Sequence, residues 1–196
     1  MNVALRQPRM TREQFLDWVQ AGDARHEFDG FQPVAMVGVT RAHSQICQNI
    51  YTALRSRLRG RGCDVLGPDA GVATIGDAVR YPDALVTCTK GPGTDRLIPG
   101  VVTVFEVLSP HSGRVDRIDK VREYAAVASI RRYLIVESTS AGLTVFSRAG
   151  ADDAWAATAL TGDDKLRLDE LGIEVPVSEF YVDIEFPEAD RAPEQR

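Results

Sequence analysis

The chain has 196 residues, of which 44% are hydrophobic, and its formal net charge is -5 at pH 7. This length and composition are typical of one globular domain with a sizeable core. The negative net charge by itself argues mildly against a nucleic-acid partner. The charge is uneven, however, because residues 151–196 hold 4 basic and 13 acidic residues and residues 1–150 therefore carry a net charge of +4.

Targeting signals and cysteine pairs are not evident. The first residues carry no apolar stretch of the kind found in a signal peptide, and no run is long enough to cross a bilayer. The chain has an odd number of cysteines, and none of them has CxxC spacing: Cys47, Cys63 and Cys88. We therefore expect a cytoplasmic protein with no membrane partner and no zinc site.

The first elements in the chain are predicted from their local signals. Residues 1–10 have no periodicity and are predicted to form an arm. Thr11 begins a capping box, so a helix should run to about Ala21. Residues 25–37 contain an Asp-Gly turn and predict a β-hairpin, whose first arm carries Glu27. By itself Glu27 would be interpreted as a solvated strand residue.

A long helix and several strands follow. Thr40 is predicted to cap a helix that runs to about residue 59, with His43 in its first turn. Strands are then predicted at residues 63–66, 71–75 and 79–87. Asp83 follows Pro82 in the last of these and adjoins an apolar run, so an acid lies beside a predicted core strand.

The strongest strand signal covers residues 101–110, VVTVFEVLSP. Its apolar and β-branched residues predict a buried central strand, and Glu106 is the exception. A lone buried carboxylate costs several kcal/mol unless it is paired, protonated or bound to a metal. A carboxylate near the end of a core strand is also where α/β folds commonly place chemistry.

The last part of the domain is predicted to continue with one helix and shorter elements. A helix over residues 115–128 carries Asp116, Lys120 and Tyr124 at i, i+4 and i+8, which places them on one stripe. The remaining predicted elements are strands at residues 133–137, 143–146 and 155–160 and a helical turn at 177–180. Residues 11–186 are thus predicted to form a single domain, and residues 187–196 a disordered tail.

Asp83 and Glu106 are the pair on which a functional hypothesis depends. Adjacent strands lie ~4.8 Å apart, and two carboxylates at that separation repel unless a cation lies between them. Pro-Asp, a strand and then a strand-borne Glu is the sequence form of the PD-(D/E)xK nuclease core. Its usual lysine, two residues after the Glu, is replaced by Leu108.

A longer ordered set of residues points to one family. The set comprises Arg25-His26-Glu27-Phe28-Asp29-Gly30, His43, Pro82-Asp83, Glu106-Val107-Leu108-Ser109-Pro110, Asp116, Lys120, Tyr124 and Tyr133-Leu134-Ile135-Val136. This order resembles the Uma2 family of restriction-endonuclease-like proteins over roughly residues 11–185. The His111-Ser112-Gly113 loop departs from the family's more usual Ser-Thr-Arg.

The resemblance implies an α/β fold with a restriction-endonuclease-like core, a mixed central β-sheet flanked by helices. It also implies an endonuclease that hydrolyses DNA phosphodiester bonds with Mg²⁺, for which Mn²⁺ is a possible substitute. The implied catalytic residues are Glu27, Asp83, Glu106 and Lys120, the last in place of the missing strand lysine. Asp83, Glu106 and the backbone carbonyl of Val107 would hold the metal.

The resemblance leaves other roles and other functions open. His43, Asp116 and Tyr124 are candidates for substrate contact, but a core or capping histidine, a surface ion pair and a packing tyrosine are competing interpretations. The alternative function is a catalytically silent nuclease fold that serves as a binding or regulatory module. A homodimer is plausible because cleavage of both strands of a duplex often uses two active sites.

Overall fold

The computed structural model describes residues 10–36, 38–108 and 115–186, without the side chains of residues 115 and 116. The helical elements are α1 (Arg12–Ala21), α2 (Arg41–Leu58), a π-helical turn (Val115–Asp119), α3 (Lys120–Ala125) and a 3-10 turn (Val177–Tyr181). The strands are β1 (His26–Phe28), β2 (Pro33–Ala35), β3 (Asp64–Leu66), β4 (Val72–Ala73), β5 (Val79–Arg80), β6 (Ala84–Thr87), β7 (Val101–Val107), β8 (Arg132–Val136), β9 (Gly142–Ser147), β10 (Ala156–Thr161), β11 (Lys165–Leu168) and β12 (Ile173–Pro176).

A six-stranded sheet with the order β10-β9-β8-β7-β6-β3 forms the centre of the domain. Strand β7 pairs antiparallel with β6 and parallel with β8, so the sheet is mixed, as predicted. Six of the seven residues of β7 are buried. A strand that is covered on both faces is apolar throughout rather than alternating, which explains the run in which Glu106 stands out.

Helices cover the central sheet on both faces. Ile46 and Ile50 of α2 lie in one core cluster with Phe105 of β7. On the opposite face, Tyr124 of α3 lies in a second cluster with Val104. The alternation of neighbouring β7 residues between the two clusters follows from the two-residue period of a strand. The predicted α/β architecture, a mixed sheet flanked by helices, is confirmed.

A second, smaller sheet has the order β2-β1-β5-β4. The predicted hairpin forms its β1 and β2, which pair antiparallel. Helix α1 begins with the predicted capping box at Thr11. It packs on this sheet through Phe15, whose ring stacks on that of Phe28 at 5.0 Å between centroids. This sheet positions Glu27 on β1 and Arg80 on β5.

The predicted single strand at residues 79–87 is wrong. The chain forms two strands there, β5 in the small sheet and β6 in the central sheet. The break falls at Tyr81-Pro82-Asp83, where Pro82 has no N–H to donate to a strand ladder. This break places Asp83 at the beginning of β6 rather than inside a longer strand.

Other elements also differ from the predictions. The predicted helix at 115–128 begins as a π-helical turn and continues as α3 only to Ala125. The β11–β12 hairpin was missed because its strands are only four residues long. Cys63 and Cys88 form a disulfide, which the sequence did not indicate. They flank the paired residues Asp64 and Thr87 of β3 and β6, so they lie opposite each other.

Two further expectations concern the termini and membranes. The predicted disordered tail, residues 187–196, and residues 1–9 of the predicted arm lie outside the described residues. Within the described ranges, no helix combines the length and the hydropathy needed to cross a membrane.

The cap of α2 gives a test of the fold. The Thr40 hydroxyl accepts a hydrogen bond from the His43 backbone N–H at 3.2 Å. We expect Thr40→Ala to lower the free energy of unfolding by about 1 kcal/mol in urea titrations, because a backbone donor loses its partner. Thr40→Ser retains an acceptor and should lose much less. Equal losses in the two variants would contradict a role for the cap.

Candidate active site

Asp83 and Glu106 lie at the same end of two neighbouring strands. Ala84 of β6 pairs with Phe105 of β7, so the same register continued by one residue sets Asp83 opposite Glu106. Oδ2 of Asp83 accepts a hydrogen bond from the backbone N–H of Val107 at 2.8 Å, which fixes this carboxylate at the end of β7. The Asp83 side chain is 17% exposed, and Glu106 is buried. The structure therefore brings the two predicted acids to one end of the sheet.

Two side chains of helix α3 donate hydrogen bonds to Glu106. The Lys120 ammonium and the Tyr124 hydroxyl both donate to Oε1 of Glu106, each at 2.9 Å. Their i, i+4 spacing places both side chains on the helix face that meets β7. Burial, and then the charge of Glu106, raise the pKa of Tyr124 well above its ordinary value, so its hydroxyl remains a donor.

Lys120 also joins the two sheets. Its Nζ lies 3.3 Å from Oε1 of Glu27 on β1, in addition to its contact with Glu106. Oε1 of Glu27 further accepts a hydrogen bond from the Tyr81 backbone N–H at 3.2 Å. Glu27 is only 8% exposed, so the interpretation of a solvated strand residue is wrong. One ammonium thus bridges two carboxylates that belong to separate sheets.

Arg80 and Glu123 complete a buried ionic chain that the sequence analysis missed. Nε and Nη2 of Arg80 donate to the two oxygens of Glu123 at 2.6 and 2.5 Å. Nη1 of Arg80 donates to Oε2 of Glu27 at 3.1 Å. Burial alone would lower the pKa of Arg80, but its hydrogen bond to Glu123 and the charge of Glu27 raise it, so the guanidinium stays charged.

Acids and bases alternate along this chain, in the order Glu106, Lys120, Glu27, Arg80, Glu123. The alternation offsets the repulsion that the sequence predicted for converging carboxylates. With Asp83 included, these described side chains carry four negative and two positive formal charges. The excess of two negative charges is what a divalent cation would balance, so the charge of the site is compatible with metal binding.

A second group of side chains approaches Asp83 from α2. Nε2 of His43 lies 3.3 Å from Oδ2 of Asp83, and Nδ1 of His43 lies 3.5 Å from the Sγ of Cys47. His43 is buried and Cys47 is half-buried. Burial, and then the charges of Asp83 and Glu106, raise the pKa of the Cys47 thiol. Cys47 was not among the predicted site residues.

Other predicted site residues have different placements. Tyr124 is 0% exposed, so in this conformation it orients Glu106 and does not face a substrate. Val107 contributes its N–H to Asp83, and its carbonyl lies at the end of β7. The side chain of Asp116 and the loop with His111-Ser112-Gly113 lie outside the described residues.

Sequence signals for the missed residues exist but are weak. The sequence signal for Arg80 is its position next to the Tyr81-Pro82-Asp83 break. In the structure Arg80 is only 5% exposed. Glu123 follows Lys120 by three residues, so it shares the face of α3 that meets the sheets. Cys47 follows His43 by four residues on α2, and side chains at this spacing are neighbours on one face of a helix.

The mixed six-stranded sheet flanked by helices is an α/β fold of the restriction-endonuclease-like class. A solved structure supports this class, with a TM-score of 0.69 and 12% sequence identity over 88% of this chain and 97% of that one. It is titled as a "putative nuclease belonging to DUF820" from Anabaena variabilis. The chain itself belongs to the Uma2 family, described as "Putative restriction endonuclease", whose profile matches residues 12–178.

Two cyanobacterial proteins are similar to the chain over most of its length. The Synechocystis sp. protein named "Uncharacterized protein slr1290" is 29% identical over 182 residues, covering 91% of this chain and 95% of the relative. A second Synechocystis sp. protein, "Uncharacterized protein sll1609", is 20% identical over 159 residues, covering 79% and 89%. The family match and these similarities therefore cover most of the chain.

Arg80 offers a test of the buried ionic chain. We expect Arg80→Met to lower the free energy of unfolding by roughly 3–5 kcal/mol in urea titrations, because Glu27 and Glu123 would be left buried without a guanidinium. The matched control is Arg96→Met, which removes the exposed partner of Asp17 and should cost at most about 1 kcal/mol. Similar losses for the two variants would show that the buried chain contributes no more than a surface pair.

Proposed function

We propose that this chain is a Mg²⁺-dependent endonuclease that hydrolyses phosphodiester bonds of DNA. The observation that carries the proposal is the meeting of Asp83 and Glu106 at adjacent strand ends, with the Lys120 ammonium on Glu106. The family is described as a putative restriction endonuclease and the solved neighbour as a putative nuclease, and both descriptions agree with this reaction class. Mn²⁺ is the natural substitute for Mg²⁺ because both prefer oxygen ligands.

The donor set fits such an ion. Mg²⁺ is usually bound by one or two carboxylates together with waters and phosphate oxygens. Asp83 and Glu106 would hold it, with the carbonyl of Val107 as a further oxygen ligand. The partial exposure of Asp83 leaves a side open to water and to a phosphate. When bound, the ion would lower the pKa of an attacking water and polarise the phosphate.

The remaining residues orient and charge the site. Tyr124 and Lys120 fix one oxygen of Glu106, and the Val107 N–H fixes one oxygen of Asp83. Glu27 holds the Lys120 ammonium from its other side. In this arrangement Lys120 would stabilise the negative charge that develops on the phosphate during hydrolysis, or orient the attacking water. His43 and Asp116 stay candidate substrate contacts under this proposal.

DNA is the proposed substrate despite the chain's negative net charge. The acidic excess is confined to residues 151–196, and residues 1–150, which contain every proposed catalytic residue, carry a net charge of +4. A dimer of this chain would supply two such sites, one for each strand of a duplex.

A second candidate function is binding or regulation without catalysis. The observation in its favour is that Lys120 is only 7% exposed and already lies between Glu106 and Glu27. A lysine held in this way can serve the buried ionic chain alone. This candidate predicts that the wild type does not cleave DNA with Mg²⁺ or Mn²⁺ and that loss of Lys120 changes only the stability of the fold.

Substitution of Lys120 separates the two functions. We expect Lys120→Met to slow the nicking of supercoiled plasmid in Mg²⁺ by about 100-fold, the typical loss when one charge-stabilising donor is removed. Its affinity for Mg²⁺, measured by calorimetry, should be nearly unchanged. Lys90→Met, which removes an exposed partner of Asp64, is the control and should nick at the wild-type rate. Wild-type protein that does not nick with Mg²⁺ or Mn²⁺ would favour the silent module.

Metal binding is expected to appear in thermal stability as well. An ion that binds only the folded state stabilises it by about 2.7 kcal/mol at a hundred times Kd. We therefore expect Mg²⁺ to raise the Tm of the wild type and to have little effect on Asp83→Asn, which keeps an acceptor for the Val107 N–H. An equal rise in both proteins would place the ion elsewhere.

A further inference from the structure

Three potential ligand atoms of different chemistry meet beside the proposed Mg²⁺ site. One imidazole nitrogen of His43, the Sγ of Cys47 and a carboxylate oxygen of Asp83 all lie within 4.8 Å of one another. We propose that His43, Cys47 and Asp83 form a separate binding site for a borderline-soft divalent ion of the Zn²⁺ class. This site shares Asp83 with the proposed Mg²⁺ site but uses nitrogen and sulfur where Mg²⁺ requires oxygen.

The spacing of the three atoms suits a small tetrahedral ion. Zn²⁺ binds sulfur and nitrogen at about 2.0–2.3 Å, which places neighbouring ligand atoms of a tetrahedron roughly 3.3–3.8 Å apart. In the structure the imidazole contacts its neighbours through different nitrogens, since Nε2 lies 3.3 Å from Asp83 and Nδ1 lies 3.5 Å from the Sγ of Cys47. One ligand atom from each residue nevertheless lies within 4.8 Å of the other two, so ligation of one ion through a single imidazole nitrogen requires the side chains to rotate closer together.

The scaffold holds these ligands in place before an ion arrives. His43 and Cys47 are four residues apart on α2, so their side chains lie on the same face one turn apart. His43 is 4% exposed, and the Val107 N–H holds Asp83. Half-buried Cys47 and the partial exposure of Asp83 leave an approach for the ion and for a water as fourth ligand. Three protein ligands and one water are the usual set of an open zinc site.

Electrostatics favour a dication over a reactive thiol at this position. The same three residues also form a thiol–imidazole–carboxylate row of the kind that activates a cysteine nucleophile. However, Asp83 lies opposite Glu106 at the end of the sheet, so two carboxylates adjoin this row and their negative charge attracts a dication. A bound dication would balance that charge and ligate the sulfur as thiolate.

The shared aspartate couples the two ions. An oxygen of Asp83 that binds Zn²⁺ is less available to Mg²⁺, so Zn²⁺ should inhibit the proposed nuclease by competition. This consequence rests on the proposed function, whereas binding of the ion through Cys47 does not.

Cobalt substitution provides the direct test. Cys47 is the free cysteine, since Cys63 and Cys88 are joined in a disulfide, so a thiolate signal has one source. We expect wild-type protein with an intact Cys63–Cys88 disulfide and a free Cys47 thiol to bind one Co²⁺ with a thiolate-to-metal charge-transfer band in the near ultraviolet, and Zn²⁺ to abolish the band. Cys47→Ser should lose the band and bind Zn²⁺ at least about tenfold more weakly in calorimetry. Ser44→Ala, on the exposed side of the same helix turn, should retain both.

The outcomes separate this proposal from the proposed function. Co²⁺ that binds without a charge-transfer band, or a band that persists in Cys47→Ser, would overturn the site whatever the nicking assay shows. A band in a protein that never cleaves DNA would support the site and count against the nuclease. If both proposals hold, Zn²⁺ inhibits nicking by the wild type and by Ser44→Ala much more strongly than nicking by Cys47→Ser, with each protein compared with its own rate in Mg²⁺ alone. Circular dichroism and Tm verify that the variant is folded, and Cys47→Ala repeats the measurement without a hydroxyl.

Discussion

The ion pairs of Lys120 are the contacts on which the arrangement of this domain depends. A carboxylate buried in β7 is stable only with a partner, and Glu106 finds it in an ammonium that also lies against Glu27. The central sheet, the small sheet and α3 must all be docked before these contacts exist. Replacing a buried ionic cluster with apolar residues often stabilises a protein, so the cluster is better explained by a site than by a need for stability.

The position of the site follows from one break in the chain. Because Pro82 ends the ladder of β5, the residues on either side of it enter different sheets. Arg80 remains in the small sheet and pairs with Glu27 and Glu123, whereas Asp83 begins the central sheet beside Glu106. Only two residues, Tyr81 and Pro82, therefore separate Arg80 in the buried ionic chain from the partly exposed Asp83.

Much of the fold could be predicted from the sequence because its signals are local. The capping box of α1, the Asp-Gly hairpin and the apolar run of β7 each depend on neighbours within a few residues, and the structure has all three. Glu106 was recognisable because it interrupts an apolar strand. Arg80 and Glu123 could not be recognised in this way, since their partners are 43 or more residues away in the chain. The disulfide likewise depends on the register of β3 with β6.

The replacement of the usual strand lysine by Leu108 has a physical explanation in the packing. Leu108 is 6% exposed and belongs to the apolar cluster that contains Val104 and Tyr124. A lysine there would have to bury its ammonium among these side chains or displace them. Lys120 approaches Glu106 from the helix instead, so it supplies the positive charge and leaves the cluster intact. Because the lysine is on α3, it also contacts Glu27. This contact couples the position of α3 to the hairpin that carries the third acid.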